Sequence, residues 1–343
     1  MESVAKLAGV SKITVSRALR DSELVRPELR EHIRAVARAA GYRLNLAARN
    51  LRNRRTQTIA VVIENVGVAD RPVADPLLLL LVGGMLEELT AKGYALLLTN
   101  SNQFLNSDAL SADGVIMVGE GEGGVRARQV ADLGLPTVVW GEPLPGARVC
   151  VIGSDNREGG RLAARHLVDQ GCRRILFLGD VRHPEVAARH GGVLDVLSAT
   201  DATLVASLPC EFSRKGGADA ASGALDAGHR FDGVIAASDY IAAGACGLLL
   251  DRGLTVPGDV AVIGYDDNPL AAIHRPPLST IRQDLDDAGR LLSRTVFQVI
   301  DDPATEPYDQ VLPVQLVVRE TSRRHDRQAP HRKRPAKKSA TRA

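Results

Sequence analysis

The chain has 343 residues, of which 45% are hydrophobic and 24% charged, and its formal net charge at pH 7 is +2. This much apolar material can build two or three packed domains, which excludes a mostly disordered protein. The longest apolar run, from Leu77 to Val82, is far shorter than the roughly 18 residues of a membrane span, so we expect no membrane partner.

Residues 1–55 are strongly basic and show the pattern of three short helices. Val4 to Ala8 is apolar and periodic, Gly9 provides a break, and a second helix fits Ser11 to about Arg20, with the serine as N-cap. A third helix fits Pro27 to Ala40 and is closed by Gly41. Two helices separated by so short a glycine turn predict a helix-turn-helix.

The second helix has an apolar and a polar face. Val15, Ala18 and Leu19 fall at i, i+3 and i+4 and are expected to face the core. The opposite face presents Lys12, Ile13, Ser16 and Arg17. A basic face of this kind suits the major groove of DNA, although the periodicity alone fits a plain helical bundle with solvated arginines equally well.

The residues of this N-terminal segment resemble the DNA-binding headpiece and hinge of the LacI/GalR family of transcription regulators. The matching stretches are 4–11, 14–19, 41–42 and 45–51. The resemblance implies that Lys12 and Ile13 vary with operator sequence, and that 45–51 form a hinge helix that wedges Leu51 into the minor groove. The alternative interpretation of Leu51, without the resemblance, is an ordinary leucine of a linker. The DNA-binding residues implied by the resemblance are Ser11, Lys12, Ile13, Thr14, Ser16, Arg17, Asn45, Ala48 and Leu51.

One departure from the family concerns the first helix. The family usually has several residues before the Val-Ala pair, including a threonine that caps this helix, whereas only Met1 to Ser3 precede Val4 here. We therefore expect the first helix to lack a side-chain cap, at a cost of about 1 kcal/mol.

From Thr58 onward, β-branched and leucine-rich runs alternate with helical stretches, which predicts a parallel sheet with helices on both faces. The tripeptide Asp-Gly-Val occurs at 113–115 and again at 232–234 before similar apolar runs, so we expect two similar α/β lobes. In open α/β sheets a ligand binds at the carboxyl ends of the strands, which here places it between the lobes. The Gly/Glu-rich segment 120–124 receives no interpretation.

This part of the chain resembles the two-lobed, type I periplasmic-binding-protein-like sensor of the same family through 154–156, 166–167, 238–239, 262–267 and 276–283. The effector-binding residues that the resemblance implies are Asp155, Arg189, Phe212, Ser238 and Asp266. Their chemistry suits a polyol, because a carboxylate accepts hydroxyl hydrogen bonds, a guanidinium forks onto a hydroxyl pair or a carboxylate, and a ring stacks on a sugar. Without the resemblance, the favoured interpretation is that Asp266 is a turn or helix-cap residue, Arg189 a member of a surface ion pair and Phe212 an ordinary core ring. Trp140 is a further candidate for stacking.

We accordingly predict a helix-turn-helix domain at 1–44, a hinge helix and linker at 45–57, an effector-binding and dimerisation domain at 58–321, and a disordered basic tail at 322–343. Only about a dozen residues separate Asn100 from Asp113, where the family has a full helix. We expect a loop with a single helical turn there.

The expected function is a ligand-responsive, sequence-specific transcription regulator, a repressor that binds a pseudo-palindromic operator as a homodimer and senses a sugar or sugar acid. The alternative is a solute-binding protein, which would need an export signal and no basic headpiece. An enzyme lacks support, because the sequence has no nucleophile elbow and no phosphate-binding loop. The four cysteines have no metal-ligand spacing, so we expect no metal and no cofactor. Without a signal segment, a cytoplasmic, nucleoid-associated location follows.

Overall fold

The computed structural model of the protein describes residues 1–19, 22–42, 55–64, 76–107 and 111–323. The chain forms two compact units, Met1–Thr56 and Gln57–Ala343. The predicted hinge residues Asn45, Ala48 and Leu51 and nearly all of the basic tail lie outside the described residues. None of the helices in the described ranges is long and apolar enough to cross a membrane.

The first unit contains three helices, α1 (Glu2–Leu7), α2 (Lys12–Ala18) and α3 (Pro27–Ala39). They enclose a small core whose buried side chains are Val4, Ala5, Val15, Ala18, Val25, Ile33 and Ala37. Leu19 packs against this core and serves as the C-cap of α2. The apolar stripe predicted for the second helix is therefore confirmed.

The turns between these helices follow the predicted chemistry. Gly9 has a φ of +65° and Gly41 a φ of +62°, a region that glycine adopts without steric cost. The Ser11 hydroxyl accepts a hydrogen bond from the Thr14 N–H at 3.1 Å and so caps α2. Met1, the N-cap of α1, makes no side-chain hydrogen bond. This confirms that the first helix lacks a side-chain cap.

The first lobe of the second unit is built on a six-stranded parallel sheet in the order β11-β5-β4-β3-β1-β2. Its strands are β1 (Thr58–Ile63), β2 (Ala95–Asn100), β3 (Gly114–Val118), β4 (Thr137–Trp140), β5 (Cys150–Ser154) and β11 (Asp309–Leu312). Alternate residues of β1 point to opposite faces. One face packs on α4 (Pro76–Ala91) and α12 (Leu285–Asp301), and the other on α5 (Ser101–Leu105) and α6 (Val125–Ala131).

The second lobe has a four-stranded parallel sheet in the order β7-β6-β8-β9. Its strands are β6 (Arg174–Leu178), β7 (Thr203–Leu208), β8 (Gly233–Ala236) and β9 (Ala261–Ile263). Its helices are α7 (Asn156–Asp169), α8 (Pro184–Leu197), α9 (Arg214–Asp226), α10 (Asp239–Asp251) and α11 (Pro269–Ile273). An antiparallel pair, β10 (Thr280–Arg282) and β12 (Gln315–Val317), packs beside them. The chain therefore passes between the lobes three times, after β5, β10 and β11, and the predicted two-lobed α/β fold is confirmed.

The repeated Asp-Gly-Val tripeptide has the same role in both lobes. The carboxylate of Asp113 accepts a hydrogen bond at 2.9 Å from the N–H of Gln57, just before β1. The carboxylate of Asp232 accepts one at 2.9 Å from the N–H of Arg174, the first residue of β6. Each aspartate thus satisfies a backbone donor at the start of the neighbouring strand, which explains why the motif recurs.

In the described part of the connection between β2 and β3, residues 101–107 and 111–113, the structure has one helix, α5, of five residues. Phe104 of this helix is buried in the core on its face of the sheet. The shortened crossover predicted from the sequence is confirmed for the residues that the structure describes here.

Three helix pairs cross with their backbones in close approach: α4 with α12, α7 with α8, and α9 with α10. Each pair has a glycine on both helices, and a Cβ at any of them would lie 1.9 to 2.2 Å from a carbonyl oxygen of the opposite helix. These crossing glycines are Gly84 and Gly289, Gly160 and Gly192, and Gly217 and Gly244. No side chain fits between the helices at these points, so the glycines set how closely the helices pack.

Candidate functional site

The exposed face of α2 carries most of the predicted DNA-binding residues. Lys12, Ile13 and Arg17 are exposed, and Ser16 and Thr14 are half-buried. Ile13 is notable because 64% of this large apolar side chain is exposed. An apolar side chain between two cations matches the thymine methyl group and the acceptor atoms of the major groove. Ser11 lies at the start of this face, where its hydroxyl is used for capping.

In the second unit a cleft of about 1160 Å³, partly open to solvent, lies between the two lobes. It is formed by residues that follow β1, β3, β4, β5 and β9, and by the first turns of α7 and α8. The polar and charged side chains that line it are Glu64, Glu120, Trp140, Ser154, Asn156, His183, Glu185, Arg189, Asp266 and Gln283. This is the position at the carboxyl ends of the strands where the sequence analysis places a ligand.

Arg189, on α8, is the central cation of the cleft and is only 4% exposed. Its Nε donates to Asn156 Oδ1 at 2.8 Å, and its Nη1 donates to the Ala237 carbonyl at 2.5 Å. Its Nη2 lies 4.0 Å from Asp266 Oδ1, and the guanidinium lies 3.6 Å from the centre of the Tyr265 ring. Four neighbours therefore fix the guanidinium in one orientation, and its Nη2 edge can still donate to a ligand oxygen.

Asp266 follows β9 and is held in an unusual backbone conformation. Its φ is +108°, which non-glycine residues rarely adopt, and the side chain is 7% exposed. Gln283 donates to its Oδ1 at 2.6 Å. The next residue, Asp267, pairs at 2.7 Å with both Arg282 and Arg319 and so holds the turn in place. Strain maintained by surrounding contacts is typical of functional positions.

Of the five effector-binding residues implied by the resemblance, the structure brings three to the cleft: Arg189, Asp266 and Phe212. Phe212 is 5% exposed and packs edge-on against His183, with 5.5 Å between ring centres. The other two are helix N-caps. Asp155 accepts from the Glu158 N–H at 2.9 Å, and Ser238 accepts from the Ile241 N–H at 3.3 Å. Direct contact of these five residues with an effector stays a prediction.

Sequence reasoning missed several cleft residues, above all Glu64, Glu120 and Glu185. Glu64 directly follows β1, and Glu120 lies two residues after β3 in the segment that received no interpretation. Their position just beyond the strands was the available signal, because the carboxyl ends of parallel strands meet at one edge. Gln283 lies within a stretch that resembles the family, but it was missed because nothing in the sequence indicates that it contacts Asp266.

Glu120 of the cleft is linked to a second carboxyl group, that of Glu142, through a backbone hydrogen bond. The N–H of Glu142 donates to Glu120 Oε1, and the Glu142 carboxylate accepts from Asn156 Nδ2 at 2.6 Å. The pKa of Glu120 is raised to about 8, chiefly by burial; the Glu142 N–H opposes this rise, and the charges of Glu185 and Glu142 add to it. Burial also raises the pKa of Glu142. At neutral pH Glu120 therefore holds a proton and can donate a hydrogen bond.

The raised pKa of Glu120 predicts a pH-dependent stability. The folded chain keeps this proton to about pH 8, whereas the unfolded chain loses it near 4.5. The bound proton therefore makes its full contribution to the stability of the fold below pH 4.5, and this contribution is lost progressively as the pH rises to 8. Between pH 5 and 8, we expect the free energy of unfolding of the wild type to fall by about 2 kcal/mol relative to that of Glu120→Gln. This value allows for solvent screening. Urea denaturation across this range measures the difference, and a constant difference would contradict the assignment.

Comparison with known proteins supports the same picture in both units. Residues 1–45 match the family model described as bacterial regulatory proteins, lacI family, and residues 164–322 match a periplasmic binding protein-like domain. The transcriptional regulator CelR of Thermobifida fusca is 32% identical over 94% of this chain and 97% of its own. The ribose operon repressor of Bacillus subtilis is 30% identical over 95% of this chain and 99% of its own.

Solved structures agree with these matches. A complex of the transcriptional regulator CelR with cellobiose is similar with a TM-score of 0.69 and 31% identity, and covers 93% of this chain and 98% of that one. The Lac repressor dimer bound to operator and the anti-inducer ONPF shares the fold with a TM-score of 0.82 at 24% identity, over 93% of this chain and 97% of that one. The chain therefore belongs to the lacI family of bacterial regulatory proteins and carries that family's DNA-binding domain at residues 1–45.

Proposed function

We propose that the protein is a transcription repressor that binds a pseudo-palindromic operator as a homodimer and is controlled by a sugar in the cleft between its lobes. The observation that carries this proposal is the composition of the cleft. Arg189, Asp266 and Gln283 line it together with apolar side chains that include Leu77, Leu78 and Leu81. Convergent donors and acceptors beside apolar surface suit a sugar ring, which has hydroxyls around its edge and apolar faces.

The relatives support a sugar over other ligands. The CelR structure is a complex with cellobiose, and two further curated relatives are ribose operon repressors from Bacillus subtilis and Halalkalibacterium halodurans. The carboxylates of the cleft support one of the two ligand classes that the sequence allows. A sugar acid would bring a further negative charge next to Glu64, Glu185 and Asp266, and Arg189 already faces the last of these. A sugar without an acid group fits better.

DNA binding is assigned to the exposed face of α2, with Lys12, Ile13 and Arg17 reading operator bases and the predicted hinge residues entering the minor groove. A helix-turn-helix reads one half-site, so a two-fold dimer on a pseudo-palindrome follows. A solute-binding protein, the alternative function, has no use for such a headpiece. The cleft is a regulatory site, not a catalytic one, in this proposal, and the protein acts at the nucleoid in the cytoplasm.

The test is fluorescence anisotropy with labelled DNA from upstream of the protein's own gene, at fixed salt, with cellobiose, ribose, glucose and gluconate added in turn. We expect specific binding that one neutral sugar changes at least tenfold. Because coupling between sites is reciprocal, operator DNA should change the affinity for that sugar by the same factor. Binding that depends on salt but not on sequence would refute the regulator, and a response to gluconate alone would refute the preference for a neutral sugar.

Arg17 provides the matched test of the DNA-binding face. We expect Arg17→Ala to weaken specific operator binding roughly 10- to 100-fold while nonspecific binding changes little, because a bidentate contact to guanine discriminates between bases. The control is Arg38→Ala on α3, which removes another exposed guanidinium, paired with Glu31 at 2.9 Å. If both variants lose the same amount of specific operator affinity in this anisotropy assay, a role of Arg17 in base recognition is contradicted.

A further inference from the structure

The turn that carries Asp266 is held by a residue that is not among the described residues of the cleft lining. This residue is Asp239, the first residue of α10, which is 1% exposed. Its N–H donates to the Tyr265 carbonyl at 2.8 Å, and its Oδ2 accepts from the Asn268 N–H at 2.7 Å. Tyr265 and Asn268 stand directly before and after the pair Asp266 and Asp267. One residue therefore fastens both ends of this turn.

The turn needs such contacts to keep its shape. Asp266 has a φ of +108° and Asp267 a φ of +57°, and residues with a Cβ rarely adopt positive φ. Two such residues in succession persist only where the surrounding structure holds them. If the φ of Asp266 returned to negative values, its carboxylate would leave the Cα in a different direction and would lose its place 4.0 Å from Arg189 Nη2. The conformation of the turn thus decides where the carboxylate points.

The Asp239 side chain is itself held closely. A Cβ at Gly264 would lie 2.2 Å from Asp239 Oδ1, so glycine is needed to leave room for the carboxyl group beside the end of β9. The Thr280 hydroxyl donates a hydrogen bond to Asp239 and accepts one from the Asp267 N–H at 3.3 Å. Asp239 therefore joins three segments, α10, the turn and β10, at one buried point.

Asp239 holds the turn without placing a second full charge behind Asp266. Burial raises the pKa of Asp239 well above its ordinary value, and the charge of Asp266 raises it in the same direction, while the hydrogen bonds from Thr280 and Asn268 lower it. The net rise favours the neutral carboxyl group. A neutral group does not compete with Asp266 for Arg189, and an asparagine at this position would offer the same oxygen acceptor.

We propose that Asp239 is a positioning residue of the effector site, which fixes the turn of residues 265–268 so that the Asp266 carboxylate faces the sugar beside Arg189. This inference rests on the proposed function and adds a residue that acts on sugar binding through Asp266 without contacting the ligand. The Tyr265 ring belongs to the same arrangement, because the Arg189 guanidinium lies 3.6 Å from its centre and the Asp239 N–H fixes its backbone.

Hydrogen exchange of the full-length protein, measured by mass spectrometry, tests the fastening of the turn without any ligand. Asp239→Ala removes the acceptor of the Asn268 N–H, and we expect the peptide spanning 264–270 to exchange at least about tenfold faster. Asp239→Asn keeps an oxygen acceptor and should restore most of the protection. The control is Asp259→Ala, which removes a carboxylate that accepts from the Thr255 N–H at 2.8 Å in the turn before β9. It should leave the exchange of 264–270 unchanged.

Isothermal titration calorimetry with cellobiose, ribose and glucose measures the consequence for the ligand, at a temperature at which circular dichroism shows each variant folded. For the sugar that binds the wild type, we expect Asp239→Ala to weaken binding about tenfold or more, because the oriented carboxylate is lost. Asp239→Asn should recover most of this loss, whereas a residue that only stabilises the lobe would give no such rescue of affinity. Asp259→Ala should stay within about twofold of the wild type.

Thr280→Val makes the same test on the same turn if Asp239→Ala does not fold. Valine keeps the shape of the threonine and removes the hydroxyl that contacts both Asp239 and the Asp267 N–H. We expect faster exchange of 264–270 and sugar binding weakened about threefold. Unchanged exchange and unchanged affinity in this variant would overturn the inference, as would unchanged exchange in Asp239→Ala.

The outcomes separate this inference from the proposed function. If a sugar binds the wild type and Asp239→Ala binds it equally tightly despite faster exchange, Asp239 does not position the effector site and the proposed function stands. If no sugar of the panel binds the wild type while Asp239→Ala exchanges faster, the proposed sugar sensing fails and the fastening of the turn by Asp239 stands.

Discussion

Replacing Arg189 by methionine is expected to abolish the response of operator binding to the sugar, with effector affinity reduced at least 100-fold. Methionine fills the same space without the donors, so the ligand loses its central cation and Asp266 loses the guanidinium 4.0 Å away. Removing one partner of a buried pair costs about 3–5 kcal/mol, so the free energy of unfolding should fall as well. Calorimetry and urea denaturation measure the two effects.

The double variant Arg189→Met with Asp266→Asn separates the two effects of this change. It removes both charges, so we expect it to recover at least half of the lost stability while the sugar response stays absent. The control for losing an arginine from the same helix pair is Arg157→Met. Arg157 is 54% exposed on its side chain and pairs with Asp195 at 2.7 Å, so its loss should change the free energy of unfolding far less than the loss of the buried Arg189. A full sugar response in Arg189→Met would show that the cleft binds no effector through this residue.

The second large effect is expected at a crossing glycine. Gly244→Ala should lower the free energy of unfolding by about 3 kcal/mol, because its Cβ would lie 1.9 Å from the carbonyl oxygen of Arg214 and would force α9 and α10 apart. Gly247, on the same helix, has nothing within 4 Å of the corresponding Cβ. Gly247→Ala should therefore stabilise the protein by about 0.5–1 kcal/mol through its better helix propensity.

The two alanine variants form one measurement, made by urea denaturation side by side. They differ in whether the backbone of α9 lies against the position on α10 that receives the methyl group, so opposite signs test the close approach of the helices directly. Similar values for the two variants would mean that α9 and α10 can move apart at little cost.

The architecture was predictable from the sequence because its signals are local. The stripe of Val15, Ala18 and Leu19 predicts a buried helix face from spacing alone, and the recurrence of Asp-Gly-Val predicts the two lobes. The cleft position follows equally simply, since polar residues after parallel strands converge at one edge. Each of these sequence patterns consists of a few consecutive residues.

The parts that could not be predicted depend on contacts between distant segments. Asp155 and Ser238 are predicted effector-binding residues, yet whether a helix cap also faces the cleft depends on how the lobes are oriented. The carboxylates of Glu64 and Glu120 can be recognised as residues of one cleft only once β1 and β3 lie side by side in the sheet. The crossing glycines look like ordinary helix-weakening residues in the sequence, because the backbone that each one contacts comes from another helix.

The close crossings of the helix pairs also determine how the sensor can move. Layers of interleaved long side chains can slide over one another in small shear steps, whereas two backbones in contact at a glycine have no such intermediate positions. Each lobe should therefore behave as a rigid body, with its mobility confined to the three connecting segments after β5, β10 and β11. A ligand in the cleft should then change mainly the rotation of one lobe relative to the other about these segments. Little of its binding free energy would go into deforming the lobes themselves.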